Sequence, residues 1–207
     1  MSQKGKFISL EGGEGVGKST QARALAEALG KRGIDVLVTR EPGGSEGAER
    51  IRELLLGGAN EWSASAEALL FAAARADHVE KLITPALASG RWVLCDRFVD
   101  SSLAYQGGAG ELGVEAVRAI NRFAVGDVMP DRSLILLSDE GARRASERDD
   151  GASDVIGGRP GDYHRKVDAA FRALAAQEPR RLRLIDASGT REEVTKRLID
   201  AIQDLLP

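Results

Sequence analysis

The sequence has one cysteine, Cys95, so no disulfide can form within the chain, and a reducing cytoplasm is the expected setting. Cys95 lies in the apolar run Trp92-Val93-Leu94-Cys95, where a thiol behaves as a small buried hydrophobe. Net charge is also small, formally -3, which excludes a general electrostatic pull toward nucleic acid or an anionic membrane. No apolar run is long enough to span a bilayer. The start, Met1-Ser2-Gln3-Lys4-Gly5, leads straight into a predicted strand without the pattern of a secretory signal. Internal repeats and long linkers are missing too, and 207 residues predict one domain, 1–207, with a full core.

What is present begins with Gly12-Gly13-Glu14-Gly15-Val16-Gly17-Lys18-Ser19, which reads G-x-x-x-x-G-K-S. A strand-like run, Lys6 to Leu10, precedes it. An amphipathic helical run from Ser19 to Leu29 follows, with Ala22, Leu25, Ala26 and Leu29 on one face. The glycines let backbone N–H groups turn toward a polyphosphate, and the helix N-terminus adds partial positive charge. Lys18 reaches the outer phosphates and the Ser19 hydroxyl serves a magnesium ion. The stretch from Gly12 through Thr20 is therefore expected to bind a nucleoside triphosphate.

Along the chain, strand-like and helix-like runs alternate, which predicts an α/β fold with a five-stranded parallel sheet covered by helices on both faces. The strands are expected at 6–10, 35–40, 92–96, 133–137 and 183–186. Helices are expected at 19–29, 47–56, 65–88 with a bend at Pro85, 99–105, 114–124, 140–147, 162–176 and 190–206, the last capped by Gly189 or Thr190. The segment 148–161, rich in Asp, Gly and Arg, reads as a mobile loop. In such sheets ligands bind at the carboxyl ends of the strands, where Glu14, Arg40, Glu41, Asp96, Arg97 and Asp186 all fall.

A P-loop serves GTPases, motor ATPases and small-molecule kinases alike. The Asn-Lys-x-Asp box of a GTPase is missing, and Asp96 is followed by Arg97 rather than by the Glu common in motor ATPases. An acid beside a base suits phosphoryl transfer to another phosphate: Asp96 organises the metal and its waters, and Arg97 neutralises the attacking phosphate. Phe71 and Arg75 are four apart and share a helix face, offering a stacking ring and a hydrogen-bonding guanidinium to a planar base. Taken alone, the pair reads more readily as a core Phe71 and a solvated Arg75. Ser101 and Tyr105 have the same spacing; Tyr105 can close against a sugar and Gln106 can donate and accept at a base edge. His78 and His164 read as ordinary helix residues. A kinase for a nucleotide or nucleoside of another base and a P-loop switch without turnover both remain open on these residues.

Along nearly its whole length the chain resembles bacterial thymidylate kinase. The resemblance rests on Phe7-Ile8-Ser9-Leu10-Glu11-Gly12 with the P-loop and Thr20-Gln21, on Thr39-Arg40-Glu41-Pro42-Gly43-Gly44, on Leu70-Phe71-Ala72-Ala73-Ala74-Arg75 with His78, on Asp96-Arg97-Phe98, and on Ser101-Ser102-Leu103-Ala104-Tyr105-Gln106-Gly107. It implies a nucleoside monophosphate kinase-like P-loop fold and transfer of the ATP γ-phosphate to dTMP with Mg²⁺. It implies that Phe71 stacks on thymine, that Arg75 and Gln106 contact the base, and that Tyr105 packs by the deoxyribose with Ser101 beside it. Arg97 and Arg40 would hold the dTMP phosphate, Glu14 would be the P-loop carboxylate that reaches the acceptor sugar or orients the arginine, and Ser19 and Asp96 would serve Mg²⁺. It also implies a homodimer.

Some relatives of that family carry a basic residue inside the P-loop. Here the position is Gly15, so the transfer cation is expected from a lid at 143–161, among Arg143, Arg144, Arg148 and Arg159. Arg148 and Arg159 are favoured for transfer, and Arg144 is placed on the ATP side. The lid departs from the family's usual Asp-Arg-x-Glu-like segment, with Asp154-Val155-Ile156-Gly157-Gly158-Arg159-Pro160 in its place.

Overall fold

Apolar strand runs without strict alternation are the mark of strands buried on both faces. The computed structural model, which describes residues 4–57, 61–110, 112–138 and 161–207, bears this out for the three central strands, while the two edge strands are only partly buried. The strands are β1 Phe7–Gly12, β2 Val36–Arg40, β3 Trp92–Asp96, β4 Arg132–Leu137 and β5 Leu182–Asp186. They pair in parallel throughout, in the order β2-β3-β1-β4-β5. The central strand β1 is buried along its whole length.

The helices are α1 Lys18–Gly30, α2 Glu46–Leu56, α3 Ala64–His78, α4 Thr84–Ala88, α5 Val99–Ser102, α6 Val114–Val125, α7 Gly161–Gln177 and α8 Arg191–Ala201. Side chains alternate across each strand. On one face of the sheet Ile8, Leu10, Leu94 and Leu134 pack against Ala22, Leu25 and Leu29 of α1 and Val194 and Leu198 of α8. On the other, Phe7, Val93, Cys95 and Ile135 pack with Ile83, Leu87, Leu103, Val117 and Phe171. Each fully buried Leu, Ile or Phe contributes about 1.5–3 kcal/mol, so the two layers supply most of the drive to fold. Cys95 is the buried thiol expected of it. Among the described residues, no helix is long and apolar enough to cross a membrane.

The expected helix over 65–88 is divided differently from its prediction. Its α-helical part ends at His78, a wider π turn runs over Val79–Ile83, and Pro85 stands at the start of α4 rather than at a bend. A second π turn, Leu103–Ala109, continues α5, and Gly110 N donates to Tyr105 O at 2.7 Å. The closing helix stops at Ala201 and finishes as a 3₁₀ turn over Gln203–Leu205. Its start is the expected Thr190, whose hydroxyl accepts from Glu193 N while the Glu193 carboxylate accepts from Thr190 N, a reciprocal capping box. The helix expected at 140–147 and the loop at 148–160 lie outside the described residues.

Candidate active site

β1 and β3 lie side by side at the centre of the sheet, with Leu10 opposite Asp96. The chain leaves their carboxyl ends as the P-loop and as Asp96-Arg97. A cleft of about 410 Å³ opens there. At one end it is lined by Gly15, Gly17, Lys18, Ser19, Thr20 and Asp96; at the other by Phe71, Arg75, Tyr105 and Gln106; and Glu14, Arg97, Ser101 and Arg40 lie along it. The residues read from separate stretches of sequence thus converge on one cavity, except Asp186, which does not line it. Gly12, Gly13 and Val16 complete the P-loop turn, and Gly12 is required sterically: with φ at 128°, a Cβ there would stand 2.2 Å from Leu136 O.

At the P-loop end the Lys18 ammonium donates to Gly12 O at 3.2 Å and Gly13 O at 2.6 Å. Burial, aided by the nearby Arg97 charge, pushes Lys18 down to about 8. The Ser19 hydroxyl donates to Asp96 Oδ2 at 2.5 Å, so the first residue after the P-loop lysine and the end of β3 present their oxygens together.

Arg97 is held at the middle of the cleft by its own backbone. Its φ of 70° is left-handed, a conformation costing a side chain roughly 1–2 kcal/mol. Arg97 N donates to Leu10 O at 2.9 Å and the Cys95 thiol donates to Arg97 O at 3.0 Å, fixing the turn on both sides. The guanidinium then donates to Gly12 O at 2.9 Å, Ser101 Oγ at 3.2 Å and Tyr105 OH at 3.2 Å, pairs with Glu14, and lies 4.9 Å from the Tyr105 ring centre. Burial opposes the Glu14 charge, but Arg97 and Lys18 outweigh it and hold its carboxyl below the usual range. Burial pushes the Tyr105 hydroxyl up, so it stays neutral. Arg40 at the end of β2 pairs through Nη2 with both carboxylate oxygens of Glu49, each at 3.0 Å.

Behind Arg97 the Ser101 hydroxyl donates to Glu11 Oε2 at 2.6 Å. Glu11 is completely buried, and its Oε1 accepts nothing among the described residues. Burial, reinforced by the Asp100 charge, raises its carboxyl to about 7. Folding therefore favours the protonated acid. That contribution is fully present below the unfolded value near 4.5, and is lost as pH rises through about 7. Glu11→Gln keeps the shape and removes the titration. Its melting temperature is expected to gain on wild type from pH 5 to about pH 7 and to level off by pH 8, and paired thermal melts across that range check it; a constant gap contradicts the shift.

At the far end, Phe71 of α3 borders the cleft with Arg75 one turn on. Arg75 is 2% exposed, so the solvated reading of this charge is wrong. Its Nε donates to Glu41 Oε2 at 2.6 Å, Nη1 to Ser102 Oγ at 3.0 Å and to Asn121, and Nη2 to Phe98 O at 3.1 Å. Four of its five N–H groups are thus engaged. The other Glu41 oxygen pairs with His78 Nδ1 at 3.0 Å, and His78 Nε2 pairs with Thr39 Oγ1 at 2.8 Å. Gly44 leaves room for this chain: a Cβ there would stand 2.4 Å from His78 Nε2. Gln106 Nε2 donates to Glu67 at 2.9 Å.

Sequence reasoning quoted Glu41, His78 and Ser102 in its motifs but gave them no task, and it passed over Asn121, Glu67 and Arg52. Arg52 also lines the cleft and donates to Pro42 O at 2.8 Å. A buried arginine calls for an acidic partner, but the burial of Arg75 shows only in the structure, so the sequence carried no signal for Glu41. Arg143, Arg144, Arg148 and Arg159 lie outside the described residues.

A polyphosphate loop, an Asp-Arg pair at the neighbouring strand end and a polar pocket beyond them, on this strand order, define a P-loop kinase that acts on a nucleotide. The family model described as thymidylate kinase matches residues 10–198. A thymidylate kinase of Rhizorhabdus wittichii is 58% identical over 98% of this chain and 99% of its own, and one of Rhodopseudomonas palustris is 50% identical over 98% and 90%. The crystal structure of thymidylate kinase from Ehrlichia chaffeensis superposes with a TM-score of 0.77 at 32% identity, covering 97% of this chain and 99% of that one. The chain belongs to the thymidylate kinase family, and its reaction is phosphorylation of dTMP.

Proposed function

We propose that the two ends of the cleft hold the two substrates of this reaction: ATP phosphates on Gly12 to Thr20, and the thymine of dTMP on Phe71, Arg75 and Gln106. The observation that carries it is the position of Arg97 between them, fixed by a left-handed backbone and bonded to the P-loop at Gly12 O. The acceptor phosphate is already an anion, so the work is to bring two anions together rather than to create a nucleophile. Two unit charges about 4 Å apart repel by about 4 kcal/mol at an effective dielectric of about 20.

Lys18 leaves the carbonyls of Gly12 and Gly13 for the donor phosphates. Arg97, with Arg40 beside it, leaves Glu14 for the acceptor phosphate, and Glu14 turns toward the sugar. Tyr105 packs by the deoxyribose with Ser101 behind it. Mg²⁺ fits the paired oxygens of Ser19 and Asp96, a hydroxyl and one carboxylate of the kind that ion takes alongside phosphates. Bound there, it supplies further positive charge to the phosphate oxygens. Arg148 or Arg159 brings the remaining cation from the lid at 143–161, with Arg144 toward ATP, in one kinase domain working in the cytoplasm. Measuring ADP release with dTMP, dUMP, dCMP or no acceptor tests the reading; ATP consumption that does not depend on dTMP overturns it.

We also propose a homodimer through the layer of α2, α3 and α6, which pack side by side. They carry exposed Leu54, Leu69 and Phe123, the last 95% exposed. Phe123→Asp is expected to halve the sedimenting mass at micromolar protein; a monomeric wild type contradicts the proposal.

A further inference from the structure

Gln106 is an amide and offers both a donor and an acceptor, so on its own it reads no particular base edge. Its orientation is set from outside the cleft. Nε2 donates to Oε1 of Glu67, which lies one helical turn before Phe71 on α3 and does not itself line the cleft. Glu67 is 8% exposed and Gln106 4%, so water competes little for this bond. With one of its two Nε2 hydrogens donated to a carboxylate, the Gln106 amide is held with its carbonyl oxygen on the side away from Glu67, as an acceptor for a ligand.

We infer that Glu67 is a positioning residue for base selection: by holding the Gln106 amide it presents an acceptor to the pocket, and so selects a pyrimidine with a ring N–H over one whose ring nitrogen is itself an acceptor. Thymine and uracil have that N–H; cytosine does not. The Arg75 guanidinium, with one N–H uncommitted, offers the complementary donor for a ring carbonyl, where cytosine carries an amino group. A site built around a ligand hydrogen bond rejects an analogue that cannot make it, because its buried polar groups are then left unpaired.

This rests on the far end of the cleft being the base pocket, and the test separates the two. Glu67→Gln can accept or donate and so releases the amide. The ratio of kcat/KM for dTMP to that for dCMP is expected to fall at least tenfold, mostly through a higher KM for dTMP, with the KM for ATP within twofold. Gln106→Ala should lower the same ratio, and adding Glu67→Gln to it should change nothing more. If Glu67→Gln alone fails to fold, Glu67→Met, of similar volume and without a strong acceptor, should lower the ratio in the same way. An unchanged ratio in the folded Glu67 variants, or equal losses on both acceptors, overturns the role of Glu67. An unchanged ratio in Gln106→Ala overturns the base pocket itself.

Discussion

Lys18→Ala is expected to reduce turnover with dTMP by about 10³-fold or more while leaving the protein folded. The ammonium is buried against Gly12 O and Gly13 O, and among the described residues no carboxylate is bonded to it. Glu14, Asp96 and Glu11 offset part of the cost of its burial, yet burial together with the Arg97 charge outweighs them. Its depressed value of about 8 against an unfolded 10.5 fixes the sign of the stability effect. Between those values the unfolded chain binds more protons, so stability rises with pH; below about 8 the full cost of burying the charge is present. At pH 7 the alanine variant is relieved of that cost, while it loses two hydrogen bonds, one to Gly12 O, which keeps Arg97, and one to the partly buried Gly13 O, which can turn to water. Its melting temperature is therefore expected at or above that of wild type, while steady-state ADP release collapses. Retained activity would contradict the role of Lys18, and a large loss of stability would contradict the depressed value.

The P-loop was legible because everything that shapes it is local: a strand, four glycines and a helix within 25 residues of sequence. The same holds for the strands, whose apolar runs place their ends within a few residues, and for the Thr190 cap, whose partner is three residues away. The Asp96-Arg97 pair was legible as chemistry but not as conformation, since nothing around it announces a left-handed arginine held by a thiol and by Leu10 O. The π turns were missed for a related reason. Val79–Ile83 and Leu103–Ala109 have the composition of ordinary helix, so nothing local marks their extra width. Leu103 and Ala104 lie in the layer with Phe171 and Val117, while Tyr105 and Gln106 border the cleft.

Arg75 marks the limit most clearly. Its pairing with Phe71 at helical spacing was readable, its environment was not. Glu41 lies 34 residues earlier and Asn121 46 residues later, and no local pattern connects the three. The resemblance to a family supplied a role for Arg75 without supplying the groups that hold it in place.

Those groups make Arg75→Ala the second large effect, and a double one. Truncation leaves the Glu41 carboxylate, whose side chain is 3% exposed, with His78 alone, and strips partners from Ser102, Asn121 and Phe98 O. Breaking a buried pair by removing one partner costs about 3–5 kcal/mol, which for a chain of this size is a fall in melting temperature of roughly 6–20 °C. The KM for dTMP is expected to rise at least tenfold as well, with the KM for ATP within twofold. The two effects can be separated, because replacing both members of a buried pair by neutral groups restores most of what removing one destroys. Arg75→Met combined with Glu41→Gln should recover most of the melting temperature yet keep the high KM for dTMP. If the double variant recovers both, Arg75 serves only to neutralise Glu41. If it recovers neither while remaining folded, the carboxylate acts on the site by a route other than this arginine, and His78 with Thr39 is where that route begins.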